Sequence, residues 1–212
     1  MPNLAYILLG LPILFLIFHT LLRIVSLFYK FPLPPFLAKI IDHPLRHKLQ
    51  PPNETAMRHG IDPGMTVLEV GPGSGTYTLA TARRVGEKGK VVAVDIEPRM
   101  IEYLNQKMKS ERITNIEAMI ADVHNLPFDD AFFDVVYMIT VIGEIPDPIR
   151  AIREFYRILS MSGILVFSEF FIDPDYPRAK TLIRKAESAG FHLKKKIGNF
   201  FYYTLIFEKS GM

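Results

Sequence analysis

Between positions 66 and 76 the chain reads Thr-Val-Leu-Glu-Val-Gly-Pro-Gly-Ser-Gly-Thr. A β-branched, apolar run that carries one acid and opens into three alternating glycines limits the possible folds severely. Residues 66–70 have the make-up of a strand buried on both faces. The glycines remove each Cβ from a turn where backbone must pass close to a ligand. A loop of this kind between a strand and a helix suits a nucleoside, whose ribose calls for a carboxylate from the adjacent strand. Val91-Val92-Ala93-Val94-Asp95 supplies it, 24 residues after Gly71.

From Gly64 onward strand-like and helix-like segments alternate, which predicts a parallel sheet covered on both faces. Strands are expected at 66–70, 91–95, 116–120, 133–138 and 163–170, and helices near 74–86, 98–110, 147–159 and 177–189. The third helix has an apolar stripe at Ile149, Ile152, Phe155, Tyr156 and Leu159. Two further strand-like runs, 191–197 and 200–208, meet at Gly198-Asn199, a hairpin signal.

A dinucleotide fingerprint would need glycine at position 76, where Thr76 stands. The spacing Gly71-x-Gly73-x-Gly75, with Glu69 two residues ahead, resembles motif I of the class I S-adenosylmethionine (SAM) methyltransferases. Asp122-Val123-His124-Asn125-Leu126-Pro127-Phe128 resembles that family's Asp-x-x-x-Leu-Pro-Phe segment. Asp129-Asp130-Ala131-Phe132-Phe133-Asp134-Val135-Val136 is similar to its acidic-x-x-Phe-Asp-x-Val entry into strand four. The matches cover residues 64–170, nearest to the methyltransferase type 11 group, which includes the ubiquinone/menaquinone C-methyltransferases.

The resemblance implies an α/β, Rossmann-like fold: a seven-stranded, mostly parallel sheet in the order 3-2-1-4-5-7-6, ending in an antiparallel hairpin. It implies SAM as cofactor, held by Glu69, Gly71, Gly73, Ser74, Gly75 and Tyr77, with Asp95 on the ribose. Ile96, Asp122 and Val123 would border the adenine. For Asp95, a helix N-cap before Pro98 is the alternative role. Two stretches depart from the family pattern. Val141-Ile142-Gly143-Glu144-Ile145 replaces a Leu-Glu-His-like segment after strand four, and Ser160-Met161-Ser162-Gly163 replaces Lys-Pro-Gly-Gly before strand five. Asp173-Pro174-Asp175-Tyr176 follows strand five and reads as a loop.

Methyl transfer from a sulfonium needs alignment and an unprotonated nucleophile, so no base is obligatory. Glu144 and His124 are the candidate catalytic residues, with Tyr77, His43 and His47 also near the expected pocket. The chain of 212 residues has no cysteine, which excludes disulfides, a thiol nucleophile and thiolate metal sites. No metal-ligating set is evident. A net charge of +3 gives no case for a nucleic-acid partner.

The N-terminus is a separate unit. From Leu4 to Leu22 only Gly10, Pro12, His19 and Thr20 interrupt an apolar run. As a helix it spans roughly 28 Å, close to a bilayer's hydrocarbon thickness. Arg23, Lys30, Lys39, Arg46 and Lys48 follow it, which places the large domain on the cytoplasmic side of a single-pass membrane protein. Residues 1–30 are therefore expected to be a transmembrane anchor, 31–60 a proline-rich linker with a pre-domain helix, and 61–212 the methyltransferase domain. A hydrophobic hairpin packed on the domain, or a shallow insertion kinked at Pro12, are the alternatives. The bilayer is the expected partner, and the expected acceptor is a lipid, quinone or other membrane-associated small molecule. Arg178, Lys180, Arg184, Lys185 and Lys194-Lys195-Lys196 would face anionic headgroups or form a solvated face. Methylation of lysine on a membrane protein, and a module that binds SAM without turnover, are the competing functions.

Overall fold

The computed structural model describes residues 50–211, together with residues 10, 13, 14, 17, 19–25, 47 and 48. Its core begins with a short helix α1 (Pro52–Arg58), followed by β1 (Thr66–Val70), α2 (Thr76–Val85), β2 (Lys90–Asp95) and α3 (Pro98–Glu111). Next come β3 (Ile116–Ile120), β4 (Phe133–Ile139), α4 (Pro148–Ile158) and β5 (Leu159–Phe170). Helix α5 (Ala179–Ser188) and the hairpin of β6 (Phe191–Gly198) and β7 (Tyr202–Lys209) complete it.

The seven strands form one sheet in the order β3-β2-β1-β4-β5-β7-β6, the order the resemblance implies. The first five strands pair in parallel, and β7 runs antiparallel to both β5 and β6. Side-chain alternation along the strands splits the core into two layers. Leu68 and Val70 of β1 join α4 and α5 on one face. Val67 joins α2 and Ala56 of α1 on the other. The parallel strands therefore end together at one edge, where the glycine loop, the loop after β4 and the loop after β5 meet.

Strand β5 begins earlier than its sequence suggests. Leu159, the last member of the expected helical stripe, is extended (φ −73°, ψ 139°) and pairs with Phe133 at the start of β5. The pairing is won by a register irregularity between Phe133 and Val135, which absorbs the extra residues as a bulge. Helix α2 starts at Thr76 rather than near Ser74, because Gly75 is left-handed and serves as its N-cap.

The expected transmembrane helix is not found: among the described residues no helix is long and apolar enough to cross a membrane. Much of the 4–22 run, and residues 26–46 of the anchor and linker, lie outside the described residues. The end of the run is helical over residues 19–25 and sits against the globular domain. His19 Nε2 lies 2.9 Å from the carbonyl of Ile172, and Arg23 donates to the carbonyls of Phe171 (3.1 Å) and Asp173 (3.4 Å). Two polar side chains bonded to a surface loop hold residues 19–25 at the domain surface.

Candidate active site

The glycine loop is built from backbone that other residues rarely adopt. Gly71, Gly73 and Gly75 have φ of 69°, 52° and 76°. Gly71 N–H donates to the carbonyl of Val94 (2.9 Å), and Gly75 N–H to that of Pro72 (2.8 Å). A β-carbon at Gly71 would lie 2.5 Å from Val141 Cγ2, and one at Gly75 2.6 Å from Leu104 Cδ1. These two glycines allow the loop to pack against the protein. A β-carbon at Gly73 would meet nothing within 4 Å, so this glycine faces open space. No side chain caps the start of α2 and its first turn has no acid, so its leading N–H groups suit a carboxylate.

Lys107 of α3 secures the loop, and no sequence motif announces it. Its Nζ donates to the Ser74 carbonyl and to Thr76 Oγ1, both at 3.0 Å. Ser74 Oγ also donates to Thr76 Oγ1 (3.1 Å). Tyr77 is buried and its hydroxyl donates to the carbonyl of Gln50 (3.1 Å), which ties the pre-domain segment to α2. The His47 ring packs edge-on to Tyr77 at 6.5 Å. His43 lies outside the described residues.

Asp95 ends β2 with Oδ1 accepting the Glu97 N–H at 2.9 Å. Burial pushes its carboxyl upward, and the N–H groups of Glu97 and Ile96 draw it back. The N-cap of α3 is Glu97, whose side chain accepts from Arg99 N–H, so Asp95 does not cap the helix. Ile96 is exposed beside it. Asp122 Oδ1 accepts the His124 N–H (2.9 Å), the main reason its carboxyl sits below the usual range, and lies 2.7 Å from His124 Nδ1. His124 Nε2 is 2.6 Å from the carbonyl of Pro146. Both ring nitrogens thus engage oxygen acceptors, and His124 bridges the loops after β3 and β4 rather than offering a nitrogen as a base. Val123 is partly buried against the core.

Glu69 is 3% exposed and its Oε2 has no hydrogen-bond partner among the described residues. Burial lifts its pKa to about 7, against the opposing effect of the Thr78 and Tyr137 hydroxyls; Asp95 adds to the rise. On the same face His59 Nε2 meets Ser168 Oγ at 2.8 Å, which meets Thr204 Oγ1 at 2.8 Å. The His59 ring lies 5.1 Å from that of Tyr137, whose hydroxyl bonds Thr81 Oγ1 (3.0 Å). Burial, then the charge of Arg58, lowers the His59 pKa to about 3, so it is neutral in the fold.

The other side of the site is formed by the ends of β4 and β5. Thr140 follows β4 with φ of 55°, a conformation a β-branched residue adopts only under constraint. Its N–H donates to the carbonyl of Ser168 (2.8 Å), and this pairing imposes the turn. Glu144 is half-buried in the next turn, with its N–H donating to the Val141 carbonyl (2.9 Å). Glu169, buried near the end of β5, raises the pKa of Tyr176 and of Tyr203 after the larger effect of burial. Tyr176 donates to the carbonyl of Phe200, and Tyr203 to that of Pro177 at 2.5 Å. The Arg23 guanidinium lies 4.4 Å above the Phe171 ring and 5.7 Å from that of Tyr176. No motif marks Glu169, and Arg23 reads only as a basic residue flanking the apolar run, because their place here arises where separate segments converge.

These groups fit SAM. The open face at Gly73 admits the cofactor backbone, the uncapped start of α2 suits its carboxylate, and Asp95 suits its ribose. Among the described residues no group of three acidic or histidine side chains could hold a metal. An open depression lined by Arg83, Lys90, Asn115 and Glu117 lies at the opposite edge of the sheet, remote from all of these.

A family model described as a methyltransferase domain matches residues 61–204. The chain is 32% identical over 140 residues to the ubiquinone/menaquinone biosynthesis C-methyltransferase UbiE of Vibrio vulnificus, covering 66% of this chain and 52% of that protein. It is 32% identical over 141 residues to the protein of the same name from Escherichia coli, covering 66% and 55%. The chain thus spans about half the length of the curated relatives it matches. A SAM-dependent methyltransferase from Aquifex aeolicus superposes with a TM-score of 0.78 at 24% identity, covering 83% of this chain and 98% of the other. The [4+2]-cyclase SpnF superposes with a TM-score of 0.66 at 17% identity, covering 75% and 80%. Likeness at these identities establishes the fold, which hosts more than one chemistry.

Proposed function

Because the chain belongs to the class I SAM-dependent methyltransferase family, we propose that it transfers a methyl group to a lipid, quinone or other membrane-associated small molecule. The observation that carries this reading is the make-up of the acceptor edge. Val141, Phe171 and Tyr176 give it apolar and aromatic walls, and the end of an apolar N-terminal segment is docked onto it. The relatives named as quinone C-methyltransferases point to the same acceptor class. The basic residues after the apolar run suit the anionic headgroups of a membrane surface.

When bound, SAM supplies a methyl group already activated on its sulfonium. The chain's own work is then alignment and exclusion of water. Gly73 leaves room for the cofactor, Lys107 fixes the loop, and Asp95 offers its carboxylate to the ribose hydroxyls. Glu144 is the carboxylate that would take a proton from the acceptor or attract an amine.

The test is to incubate the full chain with methyl-labelled SAM and host membranes, then separate extracted lipids from precipitated protein. Label in the organic phase is the expected result. Label confined to the protein pellet would replace this reading with lysine methylation. SAM binding with no label in either fraction would make the chain a non-catalytic SAM-binding module.

A further inference from the structure

Among its described residues the N-terminal helix turns a row of apolar side chains outward. Its described apolar residues Ile13, Leu14, Ile17, Leu21 and Ile24 are exposed, whereas His19 and Arg23 turn toward the domain and bond to the carbonyls of residues 171–173. A helix on a water-facing surface does the reverse, burying its apolar stripe and exposing its charges. Arg23 is satisfied inward by two carbonyls and the Phe171 ring, and a row of isoleucines and leucines turned outward is favoured where the outer medium is itself apolar.

The neighbouring hairpin tip shows the same inversion. Phe200 and Phe201 are 57% and 61% exposed, yet their backbone is fixed. Asn199 Oδ1 accepts the N–H groups of Phe201 (2.8 Å) and Tyr202 (3.3 Å), and Gly198 holds φ at 93°. Phe171 N–H donates to the Phe201 carbonyl (2.7 Å), and the Tyr176 hydroxyl to that of Phe200. Both rings pack against Phe171, with centroids at 5.1 Å and 5.9 Å, and Phe171 also carries the Arg23 guanidinium. The helix and the hairpin tip therefore converge on one ring and form one apolar rim. Exposed Lys195 and Lys196 lie on β6 just before the tip, and exposed Arg178 and Lys180 at the start of α5.

We propose that this rim is a monotopic membrane-contact edge. The outer face of the N-terminal helix and the Phe200–Phe201 tip enter one leaflet, and the flanking basic residues meet anionic headgroups. Charge complementarity and continuity with the apolar 4–22 run both specify a lipid surface as the occupant. The inference rests on the reading of a membrane-associated acceptor, and it adds a geometry. Residues 19–25 of the helix lie against the loop after β5, so the mouth between β4 and β5 opens toward the bilayer.

The chain has no tryptophan, so one introduced residue reports on its own depth. Phe201→Trp and Phe200→Trp place the reporter at the tip. Phe132→Trp, at the opposite end of β4, is the control. Each full-length variant is mixed with vesicles of phosphatidylglycerol and phosphatidylcholine brominated in the upper acyl chain. The expected result is about a twofold loss of emission at position 201 or 200, as for a ring some 5–10 Å below the headgroups, and none at 132. Lys195→Ala and Lys196→Ala should each weaken vesicle binding about fivefold. Vesicle binding without quenching at the tip, or equal quenching at 132, overturns the proposal, as does absence of binding. Labelling of solubilised lipid by a chain that fails the quenching test would leave the acceptor reading intact. Tip quenching without any lipid labelling would do the opposite.

Discussion

A β-carbon on Gly143 would lie 2.2 Å from the carbonyl oxygen of Asp175. The loop after β4 and the loop after β5 thus touch backbone to side-chain position, and the family's Leu-Glu-His-like stretch has given way to Gly143-Glu144 at that contact. Backbone cannot move aside as a flexible side chain does. Gly143→Ala should displace residues 171–177 and destabilise the fold by about 1–3 kcal/mol. Methyl transfer should fall while SAM affinity holds, which calorimetry beside a transfer assay will check.

Gly73 makes the complementary prediction. Its added β-carbon meets no protein atom within 4 Å, so Gly73→Ala costs the fold only the strain of φ 52°, about 1 kcal/mol. The same β-carbon occupies the space kept for the cofactor. Equilibrium dialysis with SAM should show a loss of at least about tenfold in affinity, in a variant whose thermal unfolding is close to that of the parent.

Asp95→Asn keeps an oxygen for the Glu97 N–H and removes the charge offered to the ribose. A hydrogen bond to a charged group contributes about 1.5–3 kcal/mol, so SAM should bind some 10- to 100-fold more weakly. Unchanged affinity would remove Asp95 from the cofactor site.

His59 and Glu69 give opposing pH dependences. The folded pKa of His59 is about 3 against 6.5 unfolded. Between those values the unfolded chain binds the extra proton, so this contribution is complete above pH 6.5 and is lost as pH falls toward 3. For Glu69 the folded pKa is about 7 against 4.5, so the folded chain binds the extra proton and stability declines as pH rises through that window. Each slope is about 1.4 kcal/mol per pH unit, and the two cancel between 4.5 and 6.5. Urea unfolding should therefore show Glu69→Gln losing stability on acidification below pH 6.5. His59→Gln should instead lose stability as pH rises from 4.5 to 7.

What could be read from the chain was what is local. The strand-to-glycine turn at 66–76, the acid closing β2, and the alternation of elements follow from residue type and period within short windows, because buried strands and left-handed turns admit few residues. Resemblance then supplied the strand order and the cofactor. Element ends were less legible: Leu159 fits a helical stripe, and only its pairing with Phe133, 26 positions earlier in the chain, makes it a strand.

The tertiary structure decided what depends on segments meeting. His124 reads as a base, but its ring is engaged at both nitrogens because Pro146 arrives beside it. Lys107 is an ordinary helical lysine until α3 packs beside the glycine loop. The apolar N-terminus reads as a membrane span by hydropathy, which counts residues without asking where the polar ones point. Arg23 bonds to a carbonyl 148 residues away, and that contact holds residues 19–25 against the domain. The sequence determined the cofactor cradle because its constraints are carried by the backbone itself. The acceptor wall was decided only in three dimensions, because it is made by side chains brought together from opposite ends of the chain.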